Sequence, residues 1–162
     1  MKLTKTLLAS ALFLATSSMA SAATDTTDIE ILVTKDAYVN FTGDLQGNVT
    51  KTLALADVDA TTSTLGTLGT ESNTTGTCTV DFTSDNDFKL KHTVDNTLFL
   101  HGAANYSLAW EGATITSGNP NSVSLANCDV AASNFDMTSP ALPAVVTAGT
   151  YQDIVHITVT TQ

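Results

Sequence analysis

What most constrains this chain is a succession of short runs rich in Thr, Val, Leu and aromatic residues, each bounded by Gly, Asn, Asp or Pro. The runs are 37–42, 49–58, 77–83, 88–94, 97–101, 105–110, 122–127 and 151–161. Side chains alternate between faces along a strand, so each run can offer one face to a core and the other to water. In 151–161, Tyr151, Val155, Ile157 and Val159 fall on one face, and His156, Thr158 and Thr160 on the other. Brief strands at such spacing predict an all-β, antiparallel sandwich. Helix is expected only as a turn or two at 57–66 or 130–137, since neither stretch sustains a 3.6-residue apolar repeat. The Thr/Gly/Ser-rich stretch 61–76, with its Leu-Gly-Thr doublet at 65–70, reads as a surface loop with room for short edge pairing and not as a repeat architecture.

The chain begins with the pattern of a secretory signal. Lys2 and Lys5 precede an apolar run, and Ala20-Ser21-Ala22 supplies a small-x-small cleavage site, which assigns 1–22 to a signal peptide. That apolar run is too short to span a bilayer, and no later one approaches the roughly 20 residues a transmembrane helix needs. The remaining residues suffice for one domain and are too few for two ordinary ones.

Charge narrows the partners. Past residue 22 the basic residues are Lys35, Lys51, Lys89 and Lys91, with no Arg, against 16 acidic residues, a net charge of −12. Phosphate backbones would repel such a surface, which excludes nucleic acid, and an anionic membrane is disfavoured on the same ground. Cys78 and Cys128 follow an export signal, and with no CxxC motif or adjacent His they are expected to form a structural disulfide.

Chemistry-bearing motifs are missing from the sequence. There is no GxSxG elbow, HExxH, phosphate-binding glycine loop or Ser/His/Asp constellation, so a non-enzymatic chain with no cofactor is expected. His92, His101 and His156 fall on three separate runs, and no metal site is expected. The acidic stretch 81–87 lacks the central Gly and terminal Glu of a calcium loop and reads as a solvated turn. Trp110 could stack on a sugar, but a core position is the stronger reading. Sequons at Asn40, Asn48, Asn73 and Asn105 matter only where a glycosylation pathway exists.

The two ends carry the sharpest signal. After the signal comes a polar tether at 24–28 and then Ile29-Glu30-Ile31-Leu32-Val33, in which Ile29, Ile31 and Val33 share one face. Register matters here: a one-residue slip would turn Glu30 and Leu32 inward, and burying an unpaired Glu30 is costly. At the other end lies Ala148-Gly149-Thr150-Tyr151-Gln152-Asp153-Ile154-Val155-His156-Ile157-Thr158-Val159. This ending is similar to the AGxYxDxVxxxV ending of chaperone–usher pilus subunits, and the whole plan resembles a fimbrial major subunit of the capsular-antigen or spore-coat-protein-U type. The resemblance covers about 30 residues at the two ends; the late position of Cys78 and the apolar Leu32 depart from the usual pattern.

The resemblance implies an incomplete immunoglobulin-like sandwich, 35–162, completed by a donor strand from a neighbouring subunit, with 23–34 as the donor extension. Ile29, Ile31 and Val33 are then the donor side chains, and Tyr151, Val155, Ile157 and Val159 line the acceptor groove. The implied partners are further copies of the chain, a periplasmic chaperone and an outer-membrane usher, with a host receptor or surface beyond them. The chain would reach the cell surface through the periplasm, in a fimbrium that supports adhesion or biofilm formation. The rival reading is a secreted β-sandwich binding module, a carbohydrate- or receptor-binding adhesin domain, in which 29–33 is an ordinary first strand.

Overall fold

A computed structural model describes residues 30–118 and 121–162. The signal at 1–22 and the donor position Ile29 lie outside the described residues. The chain divides into two units, Met1–Thr34 and Lys35–Gln162. In the described part of the first, residues 30–34 form no strand, and Ile31, Leu32 and Val33 are more than four-fifths exposed.

The second unit is all-β and antiparallel. Among the described residues its ten strands are β1 (Val39–Thr42), β2 (Thr62–Ser72), β3 (Cys78–Ser84), β4 (Lys91–His92), β5 (Ser107–Trp110), β6 (Ala113–Ile115), β7 (Ser122–Leu125), β8 (Val130–Thr138), β9 (Tyr151–Gln152) and β10 (Val155–Thr161). A five-stranded sheet runs β1-β2-β8-β5-β6, a three-stranded sheet runs β10-β3-β7, and β4 pairs with β9. The two larger sheets meet face to face. Phe82 of β3 stacks on Phe135 of β8 at 5.9 Å and meets Trp110 of β5 edge-on at 6.1 Å. Such aromatic pairs contribute about 0.5–1.5 kcal/mol beyond the area they bury. Leu68, Val80, Leu108 and Ile115 complete this interior.

Cys78 and Cys128 form the expected disulfide, with Cα atoms 5.1 Å apart. It ties the start of β3 to the β7–β8 connection, and both cysteines are buried. Trp110 is a core residue whose indole N–H donates to the Leu68 carbonyl at 2.9 Å. The ladder between β2 and β8 is irregular between Leu68 and Thr70, and Trp110 serves the carbonyl beside that irregularity.

Four expectations from the sequence need correction. The stretch 61–76 is not a surface loop: it contains β2, an 11-residue strand with two neighbours in the larger sheet. Its glycines mark close approach and a bulge. A Cβ on Gly69 would lie 2.7 Å from the Ala132 backbone of β8, and Gly66 sits at the register shift with Leu45 over it. The stretch 130–137 is not helical but β8, at the centre of the same sheet. Finally, 49–58 is not a strand. It is extended without a ladder and closes in a 3-10 turn, Leu55–Val58, while 97–101 contributes only the isolated bridge from Phe99 to Lys91.

Candidate functional site

The end of the chain builds one wall of a deep opening. β9 and β10 are separated by a break at Asp153 and Ile154, yet the alternation of half-buried and exposed side chains runs unbroken from Tyr151 to Thr160. Tyr151, Val155, Ile157 and Val159 therefore face inward and pack against the core, and His156, Thr158 and Thr160 face out. None of these four inward residues is fully buried, and the space beside Tyr151, Val155 and Ile157 is open.

That space is a groove of about 1240 Å³ within the second unit. One wall is 149–158, the other the irregular stretch 47–55, and the floor includes Leu65, Leu68, Leu108, Phe135 and Met137. Tyr151, Val155 and Ile157 line it, whereas Val159 packs against the core just beyond its end. Leu45, Leu53, Leu65 and Leu90 are only partly covered at its margins.

Backbone accounting shows what the groove lacks. The Ile154 carbonyl accepts from the Asp85 amide, and the Gln162 amide donates to the Thr77 carbonyl. With the register Ile157 to Phe82, the even-numbered residues of β10 thus spend their amides and carbonyls on β3. In an antiparallel pair the alternate residues point the other way, so Val155, Ile157 and Val159 direct theirs to the edge that has no ladder partner among the described residues. Across the groove, residues 48–53 form no backbone hydrogen bond among the described residues. Here lies the reason 49–58 reads as a strand but is not one: its side chains suit a sheet, yet residues 48–53 join no ladder among the described residues.

The wall is held by two polar clusters. His92 Nδ1 accepts from the amides of Val94 (3.2 Å) and Asp95 (2.9 Å), which leaves Nε2–H to donate to the Ala148 carbonyl at 3.3 Å. The same ring meets Tyr151 edge-on at 5.0 Å, and the Tyr151 hydroxyl donates to the Thr147 carbonyl at 2.9 Å. At the break, Asp153 accepts from the Tyr106 hydroxyl (2.5 Å), Ser84 Oγ (2.6 Å) and the Asn86 amide (3.1 Å). Ser84 Oγ in turn accepts from the Phe88 amide at 2.7 Å. Burial first, and then the adjacent Asp153 carboxylate, push the Tyr106 phenol well above the ordinary tyrosine value.

The histidines stay apart in function. His101 Nε2 bonds the Val58 carbonyl at 2.7 Å, and His156 pairs with Asp85 at 3.0 Å on the outer face. No group of three or more His, Cys, Asp or Glu fit to hold a metal ion occurs among the described residues. Asp81–Asp87 behaves as a polar turn: Asp87 accepts from Asn105 and Ser117, and Asp81 from Ser122. No helix among the described residues is long and apolar enough to cross a membrane. The sequence reading missed both the second wall at 47–55 and the supporting roles of His92, Tyr106 and Ser84. Only Gly149-Thr150-Tyr151 ahead of the final run hinted at an anchored bend.

No protein-family model and no curated protein matches this chain.

Proposed function

We propose that this chain is a non-enzymatic structural subunit of a bacterial surface fimbria, polymerising by donor-strand exchange. One observation carries the reading: a largely apolar groove runs along the edge of β10 that has no ladder partner among the described residues, and is faced by a second stretch with no backbone partners among them. A strand laid between the two walls would satisfy both, since main-chain bonds to an open edge supply affinity and alternate side-chain pockets supply selectivity. The chain also carries a segment of matching character. Ile29, Ile31 and Val33 share one face, and Ile31 and Val33 stand exposed.

On this reading the sandwich is of the immunoglobulin-like kind and is completed by the segment 23–34 of a neighbouring copy. The contact is head-to-tail and does not close on itself, so it propagates as a fibre. An open apolar edge also invites aggregation, which calls for a periplasmic chaperone before assembly and an outer-membrane usher during it. The fimbrium would stand on the cell surface and support adhesion or biofilm formation.

The test is removal of residues 23–33. The shortened protein should form no fibres, yet should still bind an added peptide spanning 23–35. Long fibres from the shortened protein would refute the proposal. A full-length protein that stayed monomeric and took up no such peptide would transfer the reading to a secreted binding module.

A further inference from the structure

We infer that the solvent-facing side of the inserted strand fixes its register: a neighbouring copy's residues 28–33 run antiparallel to β10, with Leu32 against Ile154 and Glu30 against His156. The inference rests on the strand-exchange reading and assigns recognition to residues that never enter the groove.

With Ile29, Ile31 and Val33 pointing inward, Glu30 and Leu32 must point outward, onto the face that carries Ile154, His156 and Thr158. A slip of two residues preserves the inward set, so the inner face alone does not choose among registers. The outer face does. Leu32 is 83% exposed and Ile154 is 51% exposed, two apolar side chains with nothing to cover them. Placing them opposite each other also sets Glu30 opposite His156, an acid facing an imidazole. Slipped one way, Leu32 meets Gln152 and Glu30 meets Ile154. Slipped the other way, Leu32 meets His156 and Glu30 meets Thr158, and Ile29 lands opposite Val159, which lies outside the groove lining. Only the first arrangement sets apolar against apolar in one outer pair and acid against imidazole in the other, the kinds of cross-strand contact that stabilise sheets. It also sets Ile31 opposite Val155 and Ile29 opposite Ile157, inside the groove.

In this antiparallel orientation chain reach leaves a second copy as the occupant. β1 begins where β2 ends, β2 ends where β3 begins, and β3 begins opposite the end of β10. Asp36, whose carbonyl accepts from Asn73 Nδ2, therefore belongs to the end of the sandwich where β10 finishes. From Asp153 to Thr161 is about 26 Å of strand at about 3.3 Å per residue. The three residues from Asp36 back to Val33 span at most about 11 Å. A copy's own Val33 cannot lie opposite its own Asp153 in this orientation. Self-insertion would have to run parallel to β10, with Leu32 opposite Thr158.

Cysteine trapping decides the matter. Because the odd-numbered residues of β10 carry the open backbone groups, Leu32 and Ile154 would form a non-hydrogen-bonded pair, Cα atoms about 4.5 Å apart and within disulfide range. Full-length chains carrying Leu32→Cys together with Gln152→Cys, Ile154→Cys, His156→Cys or Thr158→Cys are assembled, oxidised and run without reductant. The Ile154→Cys chain should give a ladder of covalent oligomers, and the other three should lose it. A dominant ladder through Gln152→Cys or His156→Cys overturns the register while leaving strand exchange intact. An internally cross-linked monomer through Thr158→Cys overturns the second-copy assignment. Absence of fibres from the unsubstituted chain overturns strand exchange itself, and the register with it.

Discussion

Gly149 and His92 are interlocked: a Cβ built on Gly149 would lie 1.9 Å from His92 Nε2, and Gly149 has a φ of 152°. No flexible tip can yield there, because the His92 ring is fixed by two amides on one side and the Ala148 carbonyl on the other. Gly149→Ala should therefore force the ring out and loosen the bend leading into β9. The expected loss is about 2–4 kcal/mol, in the range of overpacking combined with backbone strain. A double-mutant cycle checks the mechanism by urea unfolding. In a His92→Ala background the Gly149→Ala penalty should shrink to the backbone part, and an undiminished penalty would show that the two residues are not coupled.

The Tyr106–Asp153 contact gives the molecule an alkaline limit. Tyr106 is buried and its phenol holds its proton more tightly folded than unfolded, first through burial and then through Asp153. A group whose pKa is raised by folding contributes stability that is complete below its unfolded value and lost above it. That loss sets in as pH rises past about 10, the ordinary tyrosine value. Tyr106→Phe should lower stability near neutral pH by about 1.5–3 kcal/mol, the usual size for a hydrogen bond to a charged group. It should also flatten the fall in melting temperature above pH 10, read by calorimetry across pH. An unchanged alkaline slope would mean that Tyr106 is not the responsible group.

How much of this was legible in the sequence depends on what each residue signals locally. Tyr151, Val155, Ile157 and Val159 announced their shared face by simple alternation, and the structure keeps it across the break at Asp153. Cys78 and Cys128 left one pairing. β2 was hidden because Gly66 and Gly69, which serve a bulge and a close approach to β8, look like loop residues when β8 is not in view. The second wall was hidden for the opposite reason: 49–58 has strand composition, but composition does not reveal that residues 48–53 join no ladder among the described residues. His92 and Tyr106 act through partners 56 and 47 residues away, a relationship no local pattern encodes.

Thr70 offers a gain in stability. It is fully buried on β2, and its Oγ1 has no hydrogen-bond partner among the described residues. An unpartnered buried hydroxyl costs about 1–3 kcal/mol, and Val fills nearly the same volume without it. Thr70→Val should raise the urea midpoint by an amount worth about 1 kcal/mol, with the slope unchanged. A lower midpoint would mean that the hydroxyl is satisfied in the folded protein.

The disulfide should matter most for the strand beside the groove. Cys78 opens β3, which is the sole ladder partner of β10 among the described residues. Its loop of 50 residues constrains the unfolded chain by about 4 kcal/mol on the chain-entropy account. Reduction, or Cys78→Ala with Cys128→Ala, should lower stability by that order. Hydrogen exchange should rise first at β10, whose other edge has no ladder partner among the described residues, and only later in β2 and β8. Uniform acceleration across both sheets would place the effect in the unfolded state alone.

Ile157 and Leu68 both lie in the groove but should answer differently to truncation. Leu68 is 1% exposed on the floor, and Leu68→Ala should cost about 2–5 kcal/mol of folding stability, as for a filled core position. Ile157 is half-buried on the open wall, so Ile157→Ala should cost the isolated protein less, about 1–2 kcal/mol. Its full burial would come only when a strand covers it. The deferred part should surface in binding: the 23–35 peptide should bind Ile157→Ala about tenfold more weakly, equivalent to about 1.4 kcal/mol. Paired denaturation and calorimetric titration of the two variants separate these contributions. If Ile157→Ala lost as much folding stability as Leu68→Ala and bound the peptide unchanged, the side chain would already be complete in the single chain. The groove would then have no need of a donor.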